Sequence, residues 1–193
     1  MMQLGITIPM ERYLTGIKSL PRQALIPERG RVSGHTALAG GGTPGEDLVF
    51  CWELHVITWQ GRKALIAVNA GNCFTVLLWN MTGLHWRQYP ELVQEGIRRG
   101  FLEAGYTSEQ AAAYFDMAGE TVITKTHGRR PVAALNRMVE FLWRIPAQPD
   151  AKQLYQPFLS RALNQEVLKA PGFGVYGSPE EFLEADLKKL KII

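Results

Sequence analysis

Three apolar stretches in the middle of the chain have the residue types of β-strands. They cover residues 48–59, 62–69 and 73–80 and are rich in β-branched and aromatic side chains, which favour strands. Short connections that contain glycine separate them, as tight hairpins require. The pattern predicts an antiparallel meander of three strands.

Helical periodicity dominates the second half of the chain. Apolar residues recur every three or four positions in four stretches and again after Ser178. Thr107 and Ser178 each begin a capping box, in which the first and fourth residues satisfy each other's backbone N–H groups. The predicted helices are 9–20, 89–104, 107–117, 131–144, 158–167 and one after Ser178, and the further predicted strands are 2–8 and 121–125.

Clustered strands followed by helices are typical of an α+β fold. We expect an antiparallel sheet of about four to five strands, with helices packed mainly on one face and a helical C-terminal region. Residues 1–170 are expected to form a single α+β domain. Residues 171–193 are expected to form a linker and a C-terminal helix that packs on this domain or on a partner. Pairing of the C-terminal helices between subunits would give a homo-oligomer.

The segment 27–47 is rich in glycine and proline and has almost no large apolar side chain. Such a segment cannot bury enough surface to order itself. We therefore expect a long mobile loop within the first domain.

Composition narrows the class of protein only slightly. With 46% hydrophobic and 20% charged residues, the chain is typical of globular proteins rather than disordered ones. The formal net charge of +3 permits an anionic partner, but solubility explains it equally well. The first residues lack a secretory signal, and no apolar run reaches the ~18 residues that span a bilayer. We expect a soluble cytoplasmic protein without membrane contact. Cys51 and Cys73 are expected to be buried thiols, and a disulfide between neighbouring strands is the alternative.

Two glycine-rich segments share single features with nucleotide-binding motifs. Residues 172–177 match G-x-G-x-x-G, but that motif needs a preceding strand and a following βαβ unit, and a predicted helix precedes it here. Residues 40–45 lack the Gly-Lys-Ser/Thr ending of a phosphate-binding loop. Both segments are predicted to be plain connections.

Glu53 and His55 are two positions apart on a predicted strand and so share one face of it. A carboxylate beside an imidazole could transfer protons or begin a metal site, which makes both residues catalytic candidates. A polar pair on the wetter face of the sheet is the competing interpretation. The other histidines show no ligand spacing, so no metal site is predicted.

The most unusual charge pattern lies at the start of one predicted helix. Lys125, Arg129 and Arg130 stand immediately before the predicted first residue, Pro131. Cations at a helix N-terminus oppose the dipole, which costs up to ~1 kcal/mol, and a negative group nearby would relieve this. That group could be a bound phosphate or carboxylate, or an acid of the same chain such as Glu120.

Asn136 is predicted at the edge of the apolar stripe of the same helix, beside Val132 and Val139. A half-buried amide needs hydrogen-bond partners. We expect the amide to tie the helix to a strand, and contact with a ligand is the alternative.

Several motifs in order along the chain resemble a family of uncharacterised bacterial proteins, known as a domain of unknown function. The resemblance covers roughly residues 48–139. The motifs are Trp52-x(4)-Ile57-Thr58-x(3)-Arg62-Lys63, Val68-Asn69, Ala118-Gly119-Glu120, Thr124-Lys125-Thr126-x-x-Arg129 and Leu135-Asn136.

The resemblance implies no activity, substrate or cofactor. The chain departs from the family pattern at three positions: Glu53 where histidine is usual, His55 where asparagine is usual and Ala70 where aspartate is usual. These departures count against a Glu53–His55 catalytic pair as a family feature. The polar positions that the resemblance assigns to the pattern are Trp52, Asn69, Lys125, Thr126, Arg129 and Asn136.

The function expected from these observations is a cytoplasmic binding or regulatory module that recognises an anionic group, which would be nucleic acid, a phosphorylated ligand or an acidic protein. A hydrolase-type enzyme acting on a phosphorylated or nucleotide substrate through Glu53 and His55 is one alternative, but no nucleophile, metal cluster or phosphate loop is recognisable. A structural or assembly protein is another. No cofactor is predicted. The residues predicted to bind the ligand are Lys125, Thr126, Arg129, Asn136, Asn69 and Trp52.

Overall fold

A sheet of five strands forms the centre of the computed structural model, which describes residues 1–17 and 48–193. The segment predicted as a loop, 27–47, lies outside the described residues. The strands are β1 (Met2–Ile6), β2 (Cys51–Trp59), β3 (Arg62–Asn69), β4 (Thr75–Trp79) and β5 (Thr121–Lys125).

Seven α-helices surround this sheet in the described residues, and a 3₁₀ turn (Leu48–Phe50) leads into β2. None of these helices is long and apolar enough to cross a membrane. The helices are α1 (Ile8–Gly16), α2 (Gly83–Arg87), α3 (Tyr89–Glu103), α4 (Ser108–Ala118), α5 (Arg129–Arg144), α6 (Pro157–Asn164) and α7 (Pro179–Lys189).

The strand order is β4-β3-β2-β1-β5. The predicted meander is confirmed, because β2, β3 and β4 pair antiparallel in sequence. Gln60 and Gly61 connect β2 and β3 with positive φ angles of 47° and 71°, which is the backbone of a two-residue hairpin turn. By contrast β1 runs parallel to both β2 and β5, so the sheet is mixed. Parallel neighbours require long connections, and the chain makes them through α1 and through the helices that precede β5.

The α+β class and the five-stranded sheet are confirmed, but the helices cover both faces of the sheet rather than mainly one. One apolar cluster joins β1, Trp52 and Leu54 of β2, and helices α1, α3 and α4. The other cluster joins Ile66 of β3, Leu77 of β4, and helices α5 and α6. The physical reason is that β3 and β4 are apolar on both faces, and nearly every residue of these strands is buried.

Several helix boundaries also differ from the prediction. Helix α5 begins at Arg129 instead of Pro131. A proline is tolerated in a first turn because the N–H groups there have no partner within the helix. Helix α6 begins at Pro157 and ends at Asn164, so it is shorter than the predicted 158–167 at its C-terminal end. The short helix α2 was not predicted at all.

The C-terminal helix α7 packs on the chain's own core. Phe182 joins one apolar cluster, whereas Leu183 and Leu187 join the other. Asp186 accepts a hydrogen bond of 2.8 Å from the amide of Asn72 in the turn between β3 and β4. The apolar side of α7 is therefore covered within the chain, and assembly through the C-terminal helices stays a prediction.

Two elements satisfy the outer edge of β4, the backbone of residues 154–156 and the side chains of α6. Leu154 accepts a backbone hydrogen bond from Trp79 (2.8 Å), and Gln156 donates one to Leu77 (3.0 Å). Asn164 accepts a hydrogen bond from the N–H of Thr75 (2.6 Å) and donates one to its carbonyl oxygen (3.0 Å). Ser160 accepts one from the N–H of Leu77 (3.0 Å). Both polar side chains are buried, and each supplies hydrogen bonds that the backbone of a neighbouring strand would otherwise make.

We expect Asn164→Ala to lower the free energy of unfolding by about 2–4 kcal/mol, because it leaves two buried backbone groups of Thr75 without partners. Urea denaturation monitored by circular dichroism measures this change. Asn136→Ala is the matched control, since Asn136 is exposed and the same substitution there should change stability by less than about 0.5 kcal/mol. Equal losses in both variants would show that Asn164 contributes no more than a surface amide.

Candidate functional site

The basic segment lies where strand β5 passes into helix α5. Lys125 ends β5, and Arg129 and Arg130 begin α5. All three side chains are exposed. Among the described residues, no carboxylate lies within 4 Å of their nitrogen atoms. The positive charges of these three side chains are therefore not neutralised by an ion pair with any described residue.

An open groove runs beside α5, with a volume of about 450 Å³. Arg130 and Arg137 project from the helix into it, and Lys169 contributes a third cation from the opposite wall. Arg137 also lies 3.8 Å from Glu140, in an exposed contact on the helix surface. None of the described lining residues is acidic. The full lining is Arg130, Ala133, Ala134, Arg137, Val167, Leu168, Lys169, Ala170, Pro171, Phe173 and Tyr176.

The second wall of the groove is built by the glycine-rich segment 172–177 and the residues before it. Leu168 and Gly177 exchange two backbone hydrogen bonds of 3.0 Å, which close the segment into a loop. The ring of Phe173 stacks on Phe182 at 4.3 Å. A dinucleotide-binding loop follows a strand of the central sheet, whereas α6 precedes this segment, so the segment lacks the structural context of that motif. It is nevertheless more than a connection, because Phe173 and Tyr176 line the groove.

Beneath the start of α5 lies a buried pair of charged groups, Glu53 and His127. Their side chains are 0% and 3% exposed. Glu53 Oε1 accepts hydrogen bonds from the backbone N–H of His127 (2.7 Å) and from its Nδ1 (2.9 Å). The other ring nitrogen, Nε2, lies 3.1 Å from the amide oxygen of Gln3. These bonds join β2, β1 and the short connection between β5 and α5.

The environment of His127 favours its protonated form. Burial alone lowers the pKa of the imidazole, but hydrogen bonds and charge from Cys51 and Glu53 outweigh this and raise the pKa to about 10. The imidazolium then neutralises the buried carboxylate of Glu53. Because the folded pKa exceeds the unfolded value, the proton stabilises the fold fully below about pH 6.5, and this contribution is lost as the pH rises through about 10.

Gly5 provides the space for this pair. A Cβ atom on Gly5 would lie 2.9 Å from Glu53 Oε2 and 3.0 Å from the ring of His127. Glu53 Oε2 has no hydrogen-bond partner among the described residues. The second carboxylate oxygen therefore lies directly against the backbone of β1.

The two catalytic candidates do not pair with each other. Glu53 bonds His127, whereas Nδ1 of His55 lies 2.8 Å from the hydroxyl of Thr7. Burial lowers the pKa of His55, so its ring is neutral near pH 7. Glu53 is fully buried and lines no described groove, so no observation on the described residues favours the hydrolase alternative.

Two of the predicted ligand residues lie in the core instead. Trp52 is fully buried and its indole N–H donates to the hydroxyl of Tyr114 (3.0 Å). Asn69 donates to the carbonyl oxygen of Val49 (2.7 Å) and accepts from the N–H groups of the following turn. Both contacts hold the beginning of β2 in place, and neither residue reaches the groove.

The predicted ligand residues near α5 differ among themselves. Thr126 is half-buried in the connection before the helix. Asn136 was expected to be half-buried but is exposed, because the buried stripe of α5 follows Ala134, Met138 and Phe141 rather than Val132 and Val139, beside which Asn136 was placed. It forms no side-chain hydrogen bond with a described residue. Neither residue lines the groove.

Three residues that matter most in this region were missed by sequence reasoning. Arg137 and Lys169 are ordinary surface cations in the sequence, and only the fold brings them to one groove. His127 shows no ligand spacing, and its partner Glu53 is far away in the chain. Cys51 and Cys73 are buried free thiols, as predicted. Among residues 1–17 and 48–193, no group of three or more His, Cys, Asp or Glu side chains could hold a metal ion.

We expect the pKa of His127 to lie above the ordinary value of 6.5 and the pKa of His55 to lie below it. In an NMR titration of imidazole ¹⁵N shifts, His127 should stay protonated well above this value and His55 should lose its proton below it. Single glutamine substitutions of His35, His55 and His85 assign the signals and leave His127 by elimination. A common midpoint for both rings would contradict the roles given to burial and to Glu53.

We expect Gly5→Ala to lower the free energy of unfolding by about 1–3 kcal/mol, because the added methyl overpacks the space held by Glu53 and His127. Gly16→Ala is the matched control, since no described residue lies within 4 Å of a Cβ atom there. It should leave stability unchanged or slightly raised, because alanine favours a helix. Thermal unfolding measures both. An unchanged Gly5→Ala variant would mean that the pair can move aside freely.

Comparisons with known proteins place the chain in a family without assigning a function. A family model described as "Domain of unknown function (DUF6933)" matches residues 30–182. A search of curated proteins finds no match. The match to the family model covers more of the chain than residues 48–139, which carry the sequence resemblance. It includes both walls of the groove and the buried pair, and it confirms the resemblance to a domain of unknown function. The chain belongs to the DUF6933 family.

Proposed function

We propose that this protein is a binding module for an anionic ligand, and that the ligand occupies the groove between α5 and the segment 167–176. The observation that supports this is the composition of the groove. Arg130, Arg137 and Lys169 line it, and its described lining contains no acidic residue. The nearest described carboxylate is that of Glu140, 3.8 Å from Arg137 in an exposed contact, so three cations face one weak counter-charge. These cations repel one another, and an anion that enters the groove relieves this unfavourable electrostatic energy.

The chemistry of these cations favours phosphate or carboxylate. A guanidinium presents paired donors that match two oxygens of such a group, and a lysine ammonium adds a compact charge. A volume of about 450 Å³ lies within the range of small-molecule sites, roughly 300–1,000 Å³. The exposed Lys125 and Arg129 lie just outside the groove, where they strengthen the positive potential that attracts an anion.

The groove is supported by rigid elements. On one side, α5 buries Leu135, Met138 and Leu142 against the sheet, and the Glu53–His127 pair fixes the connection before it. A site held in this way needs little rearrangement on binding, which favours affinity. We propose that the ligand is bound in the cytoplasm, because Cys51 and Cys73 are both buried and form no disulfide, which suits a reducing compartment.

Replacing both groove arginines tests the proposal. Inorganic tripolyphosphate serves as the probe in isothermal titration calorimetry at low salt. We expect Arg130→Ala combined with Arg137→Ala to weaken its binding by at least about 100-fold, because two charge-assisted hydrogen bonds of about 1.5–3 kcal/mol each are lost. Added salt should weaken binding to the unmodified protein as well.

The matched control is Arg98→Ala combined with Arg99→Ala. Both arginines are exposed on α3, which packs on the opposite face of the sheet, and the pair removes the same charge. The control variant should bind tripolyphosphate as the unmodified protein does. If both double variants lose affinity equally, binding follows net charge and the groove has no special role. If the unmodified protein does not bind the probe, the proposal is wrong.

A further inference from the structure

We propose that the anionic ligand is a nucleotide, with its phosphates on α5 and its base against the apolar wall of the groove. This inference rests on the proposed anion-binding function and adds a substrate class to it. It comes from the difference between the two walls. One carries the guanidinium groups of Arg130 and Arg137, and the other presents Val167, Phe173 and Tyr176 beside a single cation, Lys169.

The apolar wall is unusually exposed for side chains of its type. Tyr176 is 76% exposed, Val167 is 66% exposed and the neighbouring Val175 is 64% exposed. Apolar side chains that cluster on the surface indicate a contact site more often than isolated ones do. A flat aromatic ring beside cations suits a ligand that is itself planar at one end and anionic at the other, because bases stack on aromatic side chains while cations hold the phosphates.

The apolar wall is also held in place before any ligand arrives. The backbone bridge between Leu168 and Gly177 closes the loop at its ends. Gly172 donates its N–H to the carbonyl oxygen of Gly71 at 2.8 Å, and a Cβ atom on Gly172 would lie 3.0 Å from that oxygen. The stack of Phe173 on Phe182 fixes the loop to α7. A stacking platform fixed in this way loses little conformational entropy on binding.

The cationic wall fits a chain of phosphates better than a single one. Arg130 and Arg137 are seven residues apart on one helix, which separates their Cα atoms by about 10 Å along its axis. Lys169 reaches the same groove from the other side. Linked phosphates, either in a free nucleoside triphosphate or along a single strand of nucleic acid, can meet all three cations together.

The test compares phosphate probes that carry a nucleoside with one that does not. Calorimetric titrations of the full chain use inorganic tripolyphosphate, the four ribonucleoside triphosphates separately and a ten-residue oligothymidylate. We expect at least one triphosphate to bind more tightly than tripolyphosphate by roughly 5- to 150-fold, the range of one stacked base. Tyr176→Ala should remove this advantage and leave tripolyphosphate binding unchanged. Tyr176→Phe, which keeps the ring, should retain the advantage.

The outcomes separate this inference from the function on which it rests. If no probe binds, the anion-binding function itself is wrong. If tripolyphosphate binds and no nucleotide binds more tightly, or if Tyr176→Ala keeps the advantage, the anion site stands and the nucleotide inference is overturned. An oligothymidylate that binds more tightly than every triphosphate, and loses affinity in Tyr176→Ala, identifies the source of the nucleotide as single-stranded nucleic acid. A triphosphate that binds more tightly than the oligothymidylate, and loses affinity in Tyr176→Ala, identifies the ligand as a free nucleotide.

Discussion

A carboxylate buried away from water is unfavourable unless a cation or several hydrogen-bond donors lie beside it. Glu53 is fully buried on the central strand of the sheet, so the fold must bring such groups to it. His127 meets it with both its backbone N–H and its ring. Because His127 lies two residues before the first residue of α5, the same contacts fix where that helix begins. Arg130 follows within its first turn. The contacts between Glu53 and His127 thus fix the start of α5 and, with it, the cationic wall of the groove. Gly5 leaves the space that the side chains of Glu53 and His127 occupy.

The second wall has a different origin. It comes from the segment between α6 and α7, which crosses back over the turn between β3 and β4 and meets it at Gly71 and Gly172. The two walls are distant in sequence but share one support, because α5 and Phe182 pack in the same apolar cluster. The DUF6933 model spans residues 30–182, so every residue described in the groove lies within the region that defines the family.

Much of the architecture could be predicted from local patterns. The hairpin at Gln60-Gly61 and the capping boxes at Thr107 and Ser178 depend on neighbouring residues, and the structure reproduces them. The two-sided covering of the sheet also had a signal, since Ala64 to Val68 is an uninterrupted apolar run that fits a strand buried on both faces. A strand with one buried and one exposed face would instead alternate apolar and polar residues, and Ala64 to Val68 do not.

The site was harder to predict for a physical reason. Lys125, Arg129 and Arg130 were conspicuous because they violate a local electrostatic rule. Arg137 and Lys169 violate none, and their meeting depends on the packing of α5 against distant segments. The partner of Glu53 is similar: His55 is near in sequence and on the same face, whereas His127 arrives through the pairing of β1 with β5. Tertiary proximity of this kind leaves no mark in a single sequence.

The polar side chains of α6 have a consequence for how copies of this molecule behave at high concentration. A terminal strand with vacant main-chain groups is a template on which another chain can add, and such additions begin aggregates. Asn164 and Ser160 bond main-chain groups of β4 at Thr75 and Leu77, and the backbone of residues 154–156 bonds those at Leu77 and Trp79. The element beyond most of this edge is a helix, and a helix cannot be extended by a further strand. This margin of the sheet is therefore closed to self-association, even though the strand beneath it is one of the most apolar in the chain.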